Sequence, residues 1–429
     1  MKVILSQYTT EWVKLFQKEK KLITDKLGDK IVTVEHIGST AVPGLGAKPI
    51  VDILLGVRKI SDADEFIPKM EAFGYEYRNN FENVMPYRRY FTKPGYYHVH
   101  TVEVTSEFWR RHLLFRDYMR GHDDVRDAYF KTKKELAEKD WDDVNDYAYA
   151  TTDFVKGKEK DALRYFTSLT EKAECEALYE MYSRVSDETK KHCGIQTKRI
   201  GTAVLIRTDI FPGFTHNRIP GFGLDNPLDE KSFSEVKDFY SSGKNKHALQ
   251  LEPSVVTDDV MEILHKHRYE FKNNWVRFYR DTTPIENVKT DLEIKSVGNK
   301  YKNEYGSLIT SAFDFPAELS GLFEHLMEKE NWKHYMAFEG SKPVATGSVY
   351  FSGVSAWIGF AATNPDYRGR GAQGAILEAR INEARNRGCK WIAVETGEDT
   401  SEHDVPSYRN MLRYGFRLLY KRPNYVFEP

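Results

Sequence analysis

Small and basic residues between positions 368 and 375 form the stretch of this chain whose chemistry is easiest to interpret. They read Arg-Gly-Arg-Gly-Ala-Gln-Gly-Ala, and apolar residues then recur at helical spacing at Ala372, Ile376 and Ala379. Glycines let a ligand approach the backbone closely, and the free N–H groups of a first helical turn attract anions. The pattern predicts a loop that leads into a helix and binds a phosphate-bearing ligand.

A predicted strand lies on each side of this loop and helix. Ser355–Thr363 precedes them, Trp391–Glu395 follows, and Gly388 stands where a left-handed helix cap belongs. The spacing of the glycines also fits the dinucleotide fingerprint. The segment Asn364–Arg368 before the first glycine, and the short chain after Glu395, argue against a dinucleotide site such as one for NAD. A tight turn before an amphipathic helix, without a ligand, is the remaining alternative.

The loop resembles the coenzyme A pyrophosphate loop of the GNAT acetyltransferases, in which Arg or Gln is followed by two residues, Gly, one residue and then Gly or Ala. Gln373 departs from this motif at its last position. Ser407–Phe416 likewise resembles the late GNAT helix that ends in Gly-Phe, and the resemblance covers residues 290–429. It implies acetyl-CoA as the cofactor, with its pyrophosphate on the N–H groups of Arg370–Ala375 and its pantetheine arm along the edge of Phe360–Thr363. The implied binding residues are Phe360, Ala361, Ala362, Thr363, Arg368, Gly369, Arg370, Gly371, Ala372, Gln373, Gly374 and Ala375.

Acyl transfer to an amine requires a base that removes a proton from the amine and an acid that protonates the leaving thiolate. Glu395, at the end of its strand, is the candidate base, although a solvated loop carboxylate is the alternative interpretation. Ser407 and Tyr408 hold the positions where GNAT proteins place a hydroxyl donor, and Tyr408 is chemically the stronger candidate. His403 and Asp404 are candidates for orienting water or substrate.

A second group of polar residues lies near the start of the chain. A predicted strand, Ile31–Ile37, leads into a Gly-Ser turn, and the next strand carries Asp52. Backbone donors of such a turn, together with a carboxylate, can hold a phosphate and a metal ion. His98 and His100 alternate with apolar neighbours, so both point to one face of their strand, which ends at Glu103. The candidate residues of this site are Gly38, Ser39, Lys48, Asp52, His98, His100 and Glu103.

This region closely resembles the GrpB family, whose fold is that of the nucleotidyltransferases related to polymerase β. The motifs that carry the resemblance are His36–Leu45, Ala47–Asp52 and Phe115–Arg120. Active nucleotidyltransferases use paired carboxylates to hold two divalent ions. Leu54 stands at the second position here, so Glu103 would have to supply the missing carboxylate. The alternatives are a nucleotide with Mg²⁺ bound without turnover, nucleotidyl transfer, and a structural or recognition role. For the histidines, a satisfied polar face is the alternative to a metal site.

Residues 167–287 carry weaker signals. Strand patterns at Thr202–Thr208 and His247–Leu251 alternate with helical ones, at the same scale as in the last part of the chain. Asn217–Leu224 resembles the strand end of the degenerate half of tandem GNAT proteins, and no pyrophosphate loop follows it. The resemblance implies no cofactor here, but a wall of the substrate cleft and a partner for the last sheet. Earlier in the chain, the charged run Lys131–Asp140 is interpreted as a solvated surface.

Composition and charge limit the class of protein. The chain has 429 residues, with 63 Lys or Arg against 64 Asp or Glu and a formal net charge of −1, so no overall field favours nucleic acid or a membrane surface. Cys175, Cys193 and Cys389 lack metal-ligand spacing and suit a reducing compartment. No stretch approaches the ~20 apolar residues of a membrane span. We expect a cytoplasmic protein, whose oligomeric state does not follow from its sequence.

The sequence predicts a multidomain protein of the α+β and α/β classes. It places a polymerase-β-like nucleotidyltransferase fold (GrpB) at 1–166, a degenerate GNAT-like domain at 167–287 and a GNAT acetyltransferase domain at 288–429, the last two with mixed sheets flanked by helices. The leading functional hypothesis is acetyl-CoA-dependent N-acetylation of a primary amine on a small polar molecule. The alternatives are a bifunctional or nucleotide-centred enzyme whose first domain transfers nucleotidyl groups, and a sensor that binds acetyl-CoA without turnover.

Overall fold

A computed structural model describes residues 2–142, 144–285 and 288–429 of the chain. The chain divides into two compact units, residues 1–165 and 166–429. None of the described helices combines the length and the apolar character needed to cross a membrane.

The first unit packs helices on a five-stranded sheet. The helix α1 buries Trp12, Phe16 and Ile23 on one face, because these residues recur at helical spacing. The elements of this part of the chain are α1 (Glu11–Leu27), β1 (Ile31–Ile37), β2 (Val51–Val57), α2 (Ile67–Ala72), β3 (Glu76–Tyr77), β4 (Arg88–Lys93), β5 (Tyr97–Glu103), α3 (Glu107–Gly121), α4 (Asp123–Ala137), α5 (Val144–Ala150) and α6 (Thr152–Ser183), in which the division between the units falls.

The strand order of this sheet is β1-β2-β5-β4-β3, and β2 runs parallel to β5. Their register sets Asp52 beside His98 and Val57 beside Glu103. Because two parallel strands advance together at about 3.3 Å per residue, Asp52 and Glu103 lie at opposite ends of this pair.

The second unit is organised around one sheet of 11 strands. After α6 its elements are α7 (Asp187–Cys193), β6 (Gln196–Ile200), β7 (Ala203–Arg207), β8 (Arg218–Phe222), α8 (Glu230–Tyr240), β9 (His247–Leu251), α9 (Asp258–Lys266), β10 (Tyr269–Asp281), β11 (Glu293–Val297), α10 (Lys302–Ala312), α11 (Gly321–Glu324), β12 (Trp332–Glu339), β13 (Lys342–Ser352), β14 (Ser355–Thr363), α12 (Ala372–Asn386), β15 (Trp391–Gly397), α13 (Pro406–Arg413) and β16 (Arg417–Phe427). β16 is one continuous strand of 11 residues.

The two halves of this unit repeat one arrangement of elements. β8, α8, β9, α9 and β10 follow each other in the same order as β14, α12, β15, α13 and β16, and both β8–β9 and β14–β15 are parallel pairs. The last strand of each half pairs across the middle of the sheet, so that the order there is β14-β15-β10-β16-β9-β8. Each half therefore completes the sheet of the other.

The mixed α/β fold class is confirmed, and the two predicted GNAT-like sheets join edge to edge into one. The predicted domain boundary after residue 287 adjoins residues 286–287, which lie outside the described residues. The division into three domains stays a prediction.

Candidate functional site

The glycine-rich loop lies between β14 and α12, as the sequence predicts. Gly371 directly precedes the helix with a left-handed φ of 80°, and a Cβ there would overlap the carbonyl oxygen of Lys289. The N–H groups of Ala372–Gly374 have no acceptor within the helix, because they belong to its first turn, and they are directed toward the loop. The N–H of Ala375 instead donates to the Gly371 carbonyl at 3.1 Å, so Ala375 does not contribute a free donor as predicted.

The two arginines of the loop have different surroundings. Arg370 donates to Glu339 at 2.8 Å and also pairs with Asp291, so its charge is compensated by protein carboxylates. Arg368 is exposed. An incoming phosphate would meet the helix N-terminus and Arg368, whereas Arg370 holds the loop against neighbouring strands.

Gln373, which departs from the coenzyme A loop motif, connects the helix to neighbouring strands through hydrogen bonds. Its side-chain amide donates to the carbonyl oxygens of Ala362 at 2.8 Å and Thr346 at 3.1 Å, and to the Thr363 hydroxyl at 2.9 Å. These contacts tie the first turn of α12 to the middle of β13 and to the end of β14. They also occupy the carbonyl oxygen of Ala362, one of the groups predicted to pair with the pantetheine arm.

The central parallel strands separate next to this loop. β14 and β15 pair at Ser355–Trp391, Ala356–Ile392 and Trp357–Ala393, and beyond Trp357 they diverge. β14 then carries a register shift opposite Gly347, where Phe360 takes a left-handed φ of 56°. Such a backbone conformation costs roughly 1–3 kcal/mol in a non-glycine residue and is found where a site requires it.

The gap between the two strands opens into a cavity of about 750 Å³. Strand ends, the loop after β15 and the start of α13 all contribute to its wall. The predicted residues that line it are Phe360, Ala361, Glu395, His403 and Ser407.

The structure places the two candidate hydroxyl donors in different surroundings. Ser407 lines the cavity and its Oγ lies 2.9 Å from Thr396 Oγ1. Tyr408 is buried on the other side of α13, where its ring packs edge-on against Phe278. Burial, followed by Glu398 and Asp399, raises the pKa of Tyr408 to about 12. Of the two hydroxyl groups, that of Ser407 belongs to the cavity wall.

Glu395 lines the cavity but is held by arginines. Its Oε1 accepts from Arg218 at 3.0 Å, its Oε2 accepts from Arg422, and Arg277 lies 3.7 Å from Oε2. Only 7% of its side chain is exposed. A substrate amine can reach this carboxylate only by competing with a guanidinium group, so Glu395 is not the solvated loop carboxylate of the alternative interpretation.

Glu395 belongs to a buried charge cluster that sequence reasoning missed. Arg422 pairs with Glu171 and Glu174 of α6, both at 2.9 Å, and Arg277 joins the same two carboxylates. Burial alone would raise the pKa of Glu174, but Arg277, Arg422 and Arg218 outweigh burial and hold it well below its usual range. The cluster joins α6, β8, β10, β15 and β16 at the centre of the unit.

The aromatic wall of the cavity was also not singled out from the sequence. It is formed by residues from both halves of the unit, and a pair of phenylalanines separated by one residue was the available signal. These aromatic lining residues are Tyr182, Phe211, Trp275, Phe313, Phe315, Phe323 and Trp357.

A second cavity, of about 480 Å³, lies in the first unit around the predicted polar residues. Asp52 lies against Gly38, where a Cβ would overlap its carboxylate, and His98 Nδ1 is 3.3 Å from Asp52 Oδ1. Lys48 extends over the Tyr147 ring, with Nζ 4.5 Å from its centre. The other predicted residues that line the cavity are Ser39 and His100.

Two cationic side chains that line this cavity, Lys133 and Arg88, were not predicted from the sequence. Lys133 of α4 is 5% exposed and donates to Ser39 Oγ at 2.8 Å and to the Gly46 carbonyl at 3.2 Å. The interpretation of its charged segment as solvated surface is therefore wrong at this position. Burial lowers the pKa of Lys133 to about 8, although Asp52 opposes the shift. Arg88 is the second cation, and it donates to His100 Nδ1 at 3.2 Å.

Glu103 does not join this site. It pairs with Val57 at the far end of β2, and its Oε1 accepts from the Ile60 N–H at 2.9 Å. The prediction that Glu103 supplies a second carboxylate beside Asp52 is wrong, because parallel register keeps the two apart. Among the residues that the structure describes, no group of three or more His, Cys, Asp or Glu side chains could hold a metal ion.

Comparisons with known proteins match a different family in each of the two compact units. The family model described as "GrpB protein" matches residues 2–161, and that of the "Acetyltransferase (GNAT) family" matches residues 301–416. UPF0157 protein YqkA of Bacillus subtilis is 38% identical over 167 residues, which are 38% of this chain and 48% of that protein. UPF0157 protein SCO7215 of Streptomyces coelicolor is 39% identical over 156 residues, 36% of this chain and 81% of that protein. The crystal structure of conserved protein GrpB from Enterococcus faecalis is 35% identical, covers 38% of this chain and 99% of its own, and has a TM-score of 0.36.

The matches and the two folds define a protein that joins a GrpB domain to a GNAT acetyltransferase domain. Through its first domain the chain belongs to the GrpB family.

Proposed function

We propose that this protein transfers an acetyl group from acetyl-CoA to a primary amine. The observation that carries this proposal is the gap between β14 and β15, which opens beside the N-terminus of α12 into one cavity. An anion held at the helix N-terminus and a group extended along the free edge of β14 would meet at the same cavity. The GNAT match over residues 301–416 supports this interpretation.

The residues around the gap fit acetyl-CoA. Gly371 keeps the backbone of the loop open, and the N–H groups of Ala372–Gly374 would hold the pyrophosphate with help from Arg368. The edge of β14 at Phe360 and Ala361 would hold the pantetheine arm. When bound, acetyl-CoA supplies an activated carbonyl group.

Residues of the cavity wall would accept and donate the protons that acetyl transfer requires. Glu395 Oε1 faces Arg218, which also lines the cavity, so an amine that displaces this guanidinium gains a proton acceptor. Ser407 would donate a proton to the departing sulfur. Both roles rest on the placement of these groups at the strand gap.

Calorimetric titration with acetyl-CoA tests the proposal, with NAD and ATP–Mg²⁺ as parallel ligands. Gly371→Ala should weaken acetyl-CoA binding at least about tenfold, because the new Cβ overlaps the Lys289 carbonyl and must move the start of α12. Gly369→Ala is the matched control. Gly369 has the same φ of 80°, but a Cβ there meets open space. Equal losses in the two variants, or no acetyl-CoA binding by the unaltered protein, would contradict the proposed site.

A second function is favoured by the cavity of the first unit, which we propose binds a phosphate-bearing ligand such as a nucleotide. Lys48, Lys133 and Arg88 surround one carboxylate, Asp52, so an anion is the complementary ligand. Asp52 and Glu103 lie at opposite ends of the β2–β5 pair, so they cannot hold metal ions together as paired carboxylates. This separation favours binding of the ligand over nucleotidyl transfer. In the titrations above, ATP should bind with the same affinity to Gly371→Ala as to the unaltered chain.

A further inference from the structure

Resting on the proposed acetyl transfer, we propose that the acceptor is a monoamine carried on an aromatic body, which binds between the rings that line the cavity of the second unit. This differs from the small polar acceptor that the sequence suggests. The volume of the cavity, about 750 Å³, lies within the usual range for small-molecule sites.

A strained turn presents two of these rings at the cavity. Phe313 and Phe315 stack with ring centres 5.5 Å apart and planes inclined by 18°. Asp314 between them takes a left-handed φ of 54°, which brings both rings to one side of the chain. Phe313 is 46% exposed and lines the cavity, so its ring is accessible to a ligand.

The rings continue into the first half of the unit. Phe211 meets Phe315 edge-on at 5.3 Å, and His216 meets Phe315 edge-on at 4.5 Å. Edge-to-face and stacked arrangements at these distances are those that aromatic pairs prefer. A flat aromatic ligand can extend this series of rings, whereas an aliphatic polar chain would leave them exposed to water.

His216 supplies a polar group within the aromatic wall. Its Nδ1 lies 2.5 Å from the Tyr182 hydroxyl, and its Nε2 is buried and, in the described part of the chain, has no hydrogen-bond partner. An unpartnered buried nitrogen costs free energy that a polar group of a ligand can recover. An aromatic body with one hydrogen-bonding group, such as an indole or a phenol, fits this wall.

The charges of the cavity argue against a polycationic acceptor. Apart from histidines, the charged lining residues that the structure describes are Arg218, Arg380 and Glu395. Arg218 and Glu395 pair with each other, and Arg380 donates to the Ser348 and Gly359 carbonyls at 3.2 and 3.3 Å. A polyamine would have to bring several charges into this cavity without free counter-charges, which is unfavourable.

The test compares tryptamine and spermidine as acceptors with the full chain and saturating acetyl-CoA, measuring thiol release and the acetylated product by mass spectrometry. We expect kcat/KM for tryptamine to exceed that for spermidine at least about tenfold. Equal or higher kcat/KM for spermidine would overturn the proposal. Turnover of spermidine alone would still uphold acetyl transfer, so the two proposals fail separately.

Two phenylalanine variants test whether the acceptor binds at the aromatic wall. Phe315→Ala should raise KM for tryptamine about tenfold and leave KM for acetyl-CoA within about twofold, because the ring lies in the acceptor wall and away from the glycine loop. Phe271→Ala is the control, since Phe271 is a 56% exposed phenylalanine of β10 outside the cavity wall. Equal KM values for tryptamine in the two variants would overturn the aromatic site. If acetyl-CoA binds in calorimetry but neither tryptamine binding nor tryptamine turnover is detected, the aromatic acceptor is rejected while the cofactor site stands.

Discussion

At the level of single residues, Lys133 should make anion binding in the first unit depend on pH. Burial lowers its pKa to about 8, so the amine is charged at neutral pH and neutral well above pH 8. Because only the charged form attracts phosphate, the affinity for tripolyphosphate should fall roughly tenfold between pH 7 and pH 9.5. Calorimetry at several pH values measures this change. Lys133→Met should bind more weakly at pH 7 and show no step near pH 8, and a step of unchanged size would exclude Lys133 as its source.

Ser407 and Tyr408 are neighbours in sequence but should differ in their effects on catalysis. Ser407 lines the strand gap, whereas Tyr408 packs against Phe278. Ser407→Ala should lower kcat about a hundredfold if its hydroxyl protonates the leaving thiolate. Tyr408→Phe, which keeps the ring, should change kcat less than about threefold. Steady-state kinetics with acetyl-CoA and an amine that the protein acetylates measures kcat for both variants. A larger loss of kcat in Tyr408→Phe than in Ser407→Ala would identify Tyr408 as the donor.

At the level of elements, the buried charge cluster joins helix α6 to the strands of both halves. Arg422 is fully buried and holds Glu171 and Glu174, so Arg422→Met leaves buried carboxylates short of a partner. We expect the free energy of unfolding of the second unit to fall by about 3–5 kcal/mol. Urea denaturation followed by circular dichroism measures this loss.

An exposed ion pair provides the control for this prediction. Lys266 pairs with Glu230 at 2.6 Å, with both side chains more than half exposed. Lys266→Met should change the free energy of unfolding by less than about 1 kcal/mol, because water screens such pairs. If Arg422→Met and Lys266→Met lowered the free energy of unfolding by similar amounts, the buried charge cluster would contribute no more than an exposed ion pair.

At the level of the whole second unit, the exchanged strands should make its two halves inseparable. β10 belongs to the first half in sequence but lies between β15 and β16. A fragment of residues 288–429 would lack β10 and β9, so one edge of β15 and both edges of β16 would lose their partners, and the buried charges of Glu395 and Arg422 would be exposed. Residues 166–429 should unfold cooperatively in a thermal scan by circular dichroism, whereas residues 288–429 should not. A cooperative transition in the shorter fragment would show that the halves are independent.

Much of the local structure follows from the sequence. The bounds of β1, β9 and β14 agree with the predicted ones, and Gly388 adopts its predicted left-handed conformation with a φ of 82°. Residue periodicity, β-branched content and glycine positions act over a few neighbouring residues, so a reader of the sequence can recover them. The glycine-rich loop and the group around Asp52 were found for the same reason, because each is a short motif.

The partners of the candidate functional groups were decided by the tertiary structure. Glu395 is held by Arg218, which lies 177 positions away, and Lys133 reaches a serine 94 positions away. Glu103 is separated from Asp52 by a strand register that no local pattern reveals. The sequence by itself determined where the loop, the strands and the polar motifs lie along the chain. The folded sheet decided which of these groups share a cavity and which charges are already neutralised, because both depend on contacts between residues that are distant in sequence.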